Sequence, residues 1–236
     1  MVVTLSEMVE LERLFELNSG ERERRMPTFP DLDTGIGRLI IAFNLATLPH
    51  KNSGLEWYQK AHQWCQELSM DKDVKLSPES IAGIVAATSP MQSWTRNLVN
   101  ARELVLNGKY SGLGYTRNDA MRINNGEDPK DVLFNPERNN PKMRAFFMNI
   151  AEPDNPEYVT IDRHMFGLLV GTPISRHDKN WLSPDEYEKS SKMVTDTAKA
   201  LDLVPNQLQA IVWLYWRDYV GFREKTDASG SNLQLF

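Results

Sequence analysis

The chain has 236 residues, of which 41% are hydrophobic and 25% charged. That composition fits one large or two small folded soluble domains and is too apolar for a disordered chain. The longest apolar runs, 39–43, 81–88 and 211–216, fall far short of the ~20 residues that cross a bilayer. The amino terminus lacks a basic stretch leading into an apolar one, so no secretory signal is expected and no membrane is a partner. A single cysteine, Cys65, excludes an internal disulfide framework and any cluster needing several thiolates, and it points to the cytosol. With 32 acidic against 27 basic residues the net charge is −5. Nucleic-acid binding therefore needs a local basic face.

In chain order, Glu21-Arg22-Glu23-Arg24-Arg25 alternates in sign and reads as a solvated helix or arm, and Met26-Pro27-Thr28-Phe29-Pro30 is a breaker. Apolar residues recur at helical spacing over 36–48 and 55–68, with Pro49 to Gly54 predicted as the linker. Ser77-Pro78-Glu79-Ser80 is a helix start, with Ser77 as cap and Pro78 in the first helical position. The helix it opens, 78–88, is apolar on every side and should be buried. A second follows at 94–106 and stops at Asn107-Gly108. Shorter helices are predicted at 116–124 and 142–150, separated by a loop at 135–141. After the extended stretch 158–161 a helix should begin at Asp162. The last two helices should run over 184–201, opened by Ser183 with acids in its first turn, and 205–222. A frayed tail is expected from Lys225. No run alternates long enough for a sheet, so the fold class is all-α with eight to ten helices.

Nothing in the sequence has phosphate-loop spacing. His50, His62, His164 and His177 are scattered, so no metal site is expected. No Gly-x-Ser-x-Gly elbow occurs. The segment Tyr158-Val159-Thr160-Ile161-Asp162-Arg163-His164-Met165 remains as the candidate for chemistry. An aspartate between an extended stretch and an apolar helix is first of all a helix cap.

Residues 159–171, Val-Thr-Ile-Asp-Arg-His-Met-Phe-Gly-Leu-Leu-Val-Gly, resemble the catalytic-aspartate segment of the helix-hairpin-helix DNA glycosylase superfamily. Upstream, Ile84-Val85-Ala86-Ala87-Thr88-Ser89-Pro90-Met91-Gln92 and Leu98-Val99-Asn100-Ala101 resemble that superfamily's early helix pair. Pro141 to Phe147 stands where its hairpin and following helix stand. The resemblance covers 78–172. It departs in having Asn139-Asn140-Pro141 in place of two glycines whose amides hold a DNA phosphate, since proline has no amide to give. Arg163 replaces the usual threonine, and the iron–sulfur cysteines of some members are absent. Together with Lys142 to Ile150 and Leu208-Gln209-Ala210-Ile211-Val212-Trp213, these blocks are similar to bacteriophage glycosylase-like proteins of thymine hypermodification, the amino acid:DNA transferase and glutamyl-putrescinyl thymine pyrophosphorylase type.

This resemblance implies a two-lobed helical fold with a central cleft. Residues 1–77 would pack with the carboxy-terminal helices of 173–224, 78–172 would form the glycosylase-like core, and 225–236 would be a tail. It implies the cytoplasm of a bacterial host, no cofactor, and double-stranded DNA with a modified base as partner, with an amino acid or amine as co-substrate. The activity implied is transfer of that amine onto phosphorylated 5-hydroxymethyluracil, or base excision with Asp162 as catalytic carboxylate; a silent DNA- or protein-binding member is the alternative. Asp162 and Lys142 are the expected catalytic residues. A flipped base needs a wedge, and Gln92, beside Met91 and Trp94, sits on an interhelix loop suited to insertion, with a simple interhelix turn as the alternative reading. Asn97, Arg117, Arg144, Arg163 and His164 complete the expected DNA or substrate contacts, with Arg122 behind them. Arg144, Arg163 or Lys142 would neutralise a departing phosphate. Trp213, Tyr215, Trp216 and Tyr219 should be mostly core, with one or two rings free to stack on a base. Ile81, Ile84, Val85, Phe146, Phe166, Leu169, Leu208 and Ile211 are the expected core.

Overall fold

Ten α-helices, and no strand, make up the described part of a computed structural model, which covers residues 32–135, 140–174 and 182–220. They are α1 (Leu32–Leu45), α2 (Leu48–Ser69), α3 (Pro78–Thr88), α4 (Trp94–Asn107), α5 (Arg117–Asn124), α6 (Pro129–Leu133), α7 (Pro141–Ala151), α8 (Arg163–Val170), α9 (Pro184–Ala200) and α10 (Pro205–Tyr219). The fold is all-α. None of the described helices is long and apolar enough to cross a membrane. The charged run at 21–25, the breaker at 26–30, His177 and the tail from Lys225 lie outside the described residues.

Helix starts follow the local chemistry of the sequence. The Ser80 amide donates to Ser77 Oγ at 3.0 Å, and Pro78 occupies the first turn of α3, where its missing N–H costs nothing. Ser93 accepts from the Arg96 amide at the start of α4, and Gly108 ends that helix in the left-handed region at φ 65°. Ser183 and Glu186 exchange side-chain and backbone bonds of 3.2 and 2.8 Å ahead of α9.

Two local expectations are corrected. The break between the first two helices falls at Ala46 and Thr47, and α2 continues without interruption through Pro49 and Gly54. Proline is tolerated in a first helical turn, so Pro49 opens α2 instead of closing α1. Gly54 lies in the helix because the neighbouring backbone leaves no room for a side chain. A Cβ there would stand 2.6 Å from the Ile211 amide nitrogen and 2.7 Å from its Cα. The five-residue α6 was not expected: Asp128 caps it by accepting from the Lys130 amide at 2.7 Å, and Pro129 packs under Gly83 of α3.

The chain divides into two compact units. One holds the described residues up to Leu55 and from Ile161 on, the other 56–160. In the first, α1 packs on α8, α9 and α10, and α10 also packs on α8 and α9. Its core includes Leu39, Ile41, Phe166, Leu169, Val194, Leu208, Ile211 and Trp216. Arg38 ties α1 to the end of α8 by donating to the Leu169 carbonyl at 2.5 Å, beside Gly171 at φ 75°. The second unit is built around α3, whose residues from Ile81 to Thr88 are all buried and which packs on α4, α5, α6 and α7. All eight expected core residues are buried.

Candidate functional site

Asp162 precedes α8 in extended conformation, with φ −102° and ψ −179°. Its Oδ1 accepts from the His164 and Met165 amides, both at 2.9 Å, so the capping role is real. The second oxygen does something more. Trp213 Nε1 of α10 donates to Oδ2 at 3.1 Å. The Arg217 guanidinium, one turn further along α10, lies 4.4 Å from the centre of the Trp213 ring, and the His164 ring meets the same indole edge-on at 6.4 Å. Arg163 Nε lies 3.4 Å from His164 Nε2. Upstream, the Tyr187 hydroxyl of α9 accepts from the Ile161 amide at 3.2 Å and fixes the extended approach to the cap.

The constellation in the first unit is therefore Asp162, Arg163, His164, Trp213 and Arg217, all half-buried. Three donors from the described residues, on a carboxylate with roughly four acceptor sites, fix its orientation. The indole that binds Asp162 also carries a cation, the Arg217 guanidinium. Sequence reasoning missed both α10 members. Trp213 and Arg217 at i and i+4 signal a shared helix face, but nothing local links that face to Asp162, 51 residues earlier.

The other expected site residues fall in the second unit. Lys142 and Arg144 are half-buried in the first turn of α7, which is capped by Asn140 accepting from the Met143 amide at 3.3 Å. The Arg144 guanidinium lies 6.0 Å from the centre of the Phe134 ring. Arg117 is exposed at the start of α5. Arg122 forks onto Glu127 with bonds down to 2.6 Å, and that hydrogen bonding holds the Glu127 carboxyl below its usual range.

Three further expected residues stand on or beside the α3–α4 turn. Asn97 is only 2% exposed: its Nδ2 donates to the Val85 carbonyl at 3.0 Å and its Oδ1 accepts from the Thr88 hydroxyl at 2.6 Å. Such a side chain is spent inside the fold. Trp94 packs into an aromatic cluster, with its ring 4.6 Å from Trp57 and 6.3 Å from Phe146. Gln92 is not the projecting residue. Its Nε2 donates to the Thr88 carbonyl at 2.9 Å while its Oε1 accepts from Asn100 at 2.5 Å, so it clamps the turn. What the turn presents is Met91, 61% exposed and held at φ 62°. A non-glycine residue there costs ~1–2 kcal/mol and persists because the clamp beneath it over-determines the backbone.

The described histidines outside this region are structural. His62 donates from Nδ1 to the Ile150 carbonyl at 2.9 Å. His50 accepts the Thr47 amide at Nδ1 and meets Asp218 through Nε2 at 2.9 Å. Among the described residues no three His, Cys, Asp or Glu side chains converge as metal ligands. Cys65 is buried, which pushes its thiol up from 9.0 to about 12 and makes it a poor nucleophile. On α10, Trp216 is core and stacks on the half-exposed Tyr219 at 5.6 Å.

The model of a family of unknown function, DUF7178, matches residues 31–220. The chain belongs to that family. No curated protein and no solved structure matches it. The matched span takes in both units, including Asp162, Trp213 and Arg217 of the first and Met91 of the second.

Proposed function

We propose that this DUF7178 member is a DNA base-modifying enzyme acting on a flipped-out modified pyrimidine. The reaction is transfer of an amino acid or amine onto phosphorylated 5-hydroxymethyluracil in phage DNA. The observation that carries the reading is the Asp162 carboxylate, half-buried and oriented by two amides and the Trp213 indole, with the Arg217 guanidinium on that same indole. An amine transfer needs both signs of charge. The amine nitrogen forms a bond to the exocyclic methylene carbon, and the carbon–oxygen bond to phosphate breaks with its electron pair leaving on phosphate. The nitrogen's proton passes to water. Asp162 attracts and orients the cationic amine before it reacts, and Arg217 with Arg163 neutralises the departing phosphate.

Base excision is the second reading, favoured by one feature: a carboxylate held as a fixed anion stabilises an oxocarbenium-like sugar without accepting a proton. Nucleoside mass spectrometry separates the two. DNA carrying 5-hydroxymethyluracil, free or phosphorylated, is incubated with protein and an amino-acid mixture. Transfer yields a heavier nucleoside from the phosphorylated substrate only, and excision yields free base. Neither product, from protein of verified fold, would leave the chain as a silent scaffold on which Asp162 is a cap.

A further inference from the structure

The loop after α4 turns outward an aromatic ring that the chemistry above does not use. Tyr110 folds back so that its hydroxyl donates to the Leu113 carbonyl at 2.7 Å and also meets the Thr116 hydroxyl, and Thr116 is 2% exposed. Gly112 leaves room for this staple, because a Cβ there would press on the Tyr110 ring and hydroxyl. The loop is thus fixed from beneath, and above it Tyr115 stands 69% exposed. A large ring held bare on a rigid loop loses little entropy when something stacks on it.

The exposed charges near it in sequence are mostly of one sign. From Ser93 to Asn118 the chain carries four cations, Arg96, Arg102, Lys109 and Arg117, against one carboxylate, Glu103, and the next carboxylate, Asp119, is buried. All four cations are exposed, and none has an ion-pair partner among the described residues, whereas Arg122 just beyond is forked onto Glu127. Glu103 is turned to Asn107, which donates to it at 3.2 Å. Arg96, Val99 and Arg102 recur every three residues and share the outer face of α4. In a protein of net charge −5, this stretch is a local excess of positive charge beside an exposed aromatic. Phosphates and an unstacked base meet that combination with both halves of their chemistry.

We infer that the outer face of α4 and the loop ending at Thr116 bind a nucleic-acid strand, with Tyr115 stacking on an unpaired base and Arg96, Arg102, Lys109 and Arg117 following the phosphates. The inference shares the DNA reading given above but needs no chemistry at Asp162. The strand it fits is single or locally opened, because a base within an intact duplex offers no free face to a tyrosine.

The test is fluorescence anisotropy of a labelled thymidine oligonucleotide of about a dozen nucleotides, single-stranded and in duplex, titrated with full-length protein across a salt series. Wild type should prefer the single strand, with affinity falling as salt rises. Tyr115→Ala should weaken single-strand binding roughly 5- to 100-fold while Tyr115→Phe stays near wild type, since stacking needs the ring alone. Arg102→Gln with Lys109→Gln should reduce the magnitude of the log–log salt slope by about 0.7 for each cation removed. Wild-type protein that binds the strand but turns over no base refutes only the Asp162 chemistry. Tyr115→Ala binding within about twofold of wild type overturns the inference, as does salt-independent binding. Loss of self-association in Tyr115→Ala with oligonucleotide affinity unchanged overturns it too, in favour of a protein interface.

Discussion

Replacing Asp162 by asparagine conserves the cap and breaks the pair beyond it. Asparagine caps a helix about as well as aspartate, so its carbonyl oxygen keeps the His164 and Met165 amides. Its amide nitrogen then stands where Oδ2 was, 3.1 Å from the Trp213 indole nitrogen, and two donors face each other. Rotating the amide group is worse, because it sets the nitrogen against two backbone amides. One charge-assisted hydrogen bond is lost without replacement, a cost of about 1.5–3 kcal/mol. Trp213→Phe removes the indole donor and keeps a ring beneath Arg217, so in that background Asp162→Asn has no conflict left and should cost under about 0.5 kcal/mol. The double mutant should therefore be more stable than the sum of the single losses by about 1–2 kcal/mol. Urea unfolding midpoints at unchanged m-value measure all four proteins. Additivity within about 0.5 kcal/mol would refute the Asp162–Trp213 bond as the organiser of this site. The cycle also supplies the fair comparison for activity, since turnover lost in both backgrounds is lost with the charge and not with the fold.

Gly54→Ala should destabilise by about 1–3 kcal/mol, because the added carbon meets Ile211 backbone and not a yielding side chain; an unchanged urea midpoint would contradict that approach. Met91→Gly should stabilise by up to about 1 kcal/mol by relieving the left-handed backbone; loss of stability on thermal melting would show that φ 62° carries no strain. Cys65 should resist a thiol reagent near neutral pH until the protein unfolds. Its folded pKa, about 12, lies above the ordinary 9.0, so the native state holds the proton that the unfolded state releases between those values. Its contribution is therefore complete below pH 9 and should be lost as pH rises from there toward 12, a dependence that Cys65→Ala should abolish.

The helix starts were legible because their signals are local. Ser77-Pro78 and the Ser183–Glu186 pair act within three residues of themselves, and the apolar block from Ile81 to Ala87 announces its own burial. Asp162 was legible as a cap for the same reason. Its tie to Trp213 was not, since an indole on a distant helix leaves no trace in spacing; read from sequence, the α10 aromatics look like packing, which is true of Trp216. Asn97 and Gln92 misled in the opposite direction. Polar residues around a turn resemble ligands-in-waiting, yet Thr88, Asn97, Gln92 and Asn100 satisfy one another once the turn is closed. Pro49 and Gly54 read as breakers because a proline's position in a helix and a glycine's neighbour across a helix pair are tertiary facts.

The two units differ in when a growing chain can complete them. Every residue of the unit at 56–160 is present once Thr160 has been made, and its contacts close within a continuous segment. The other unit is assembled from both sides of that segment, so α1 lacks its packing against α8, α9 and α10 until those helices follow. Leu39, Ile41 and Ala42 of α1 are core residues of that later assembly. Bringing α1 to those helices closes a loop of over a hundred residues, an entropic cost that grows only with the logarithm of length but must be met before any contact repays it. The Asp162–Trp213 pair belongs to this late unit, so a chain stalled before α10 carries the aspartate cap with no indole to orient it.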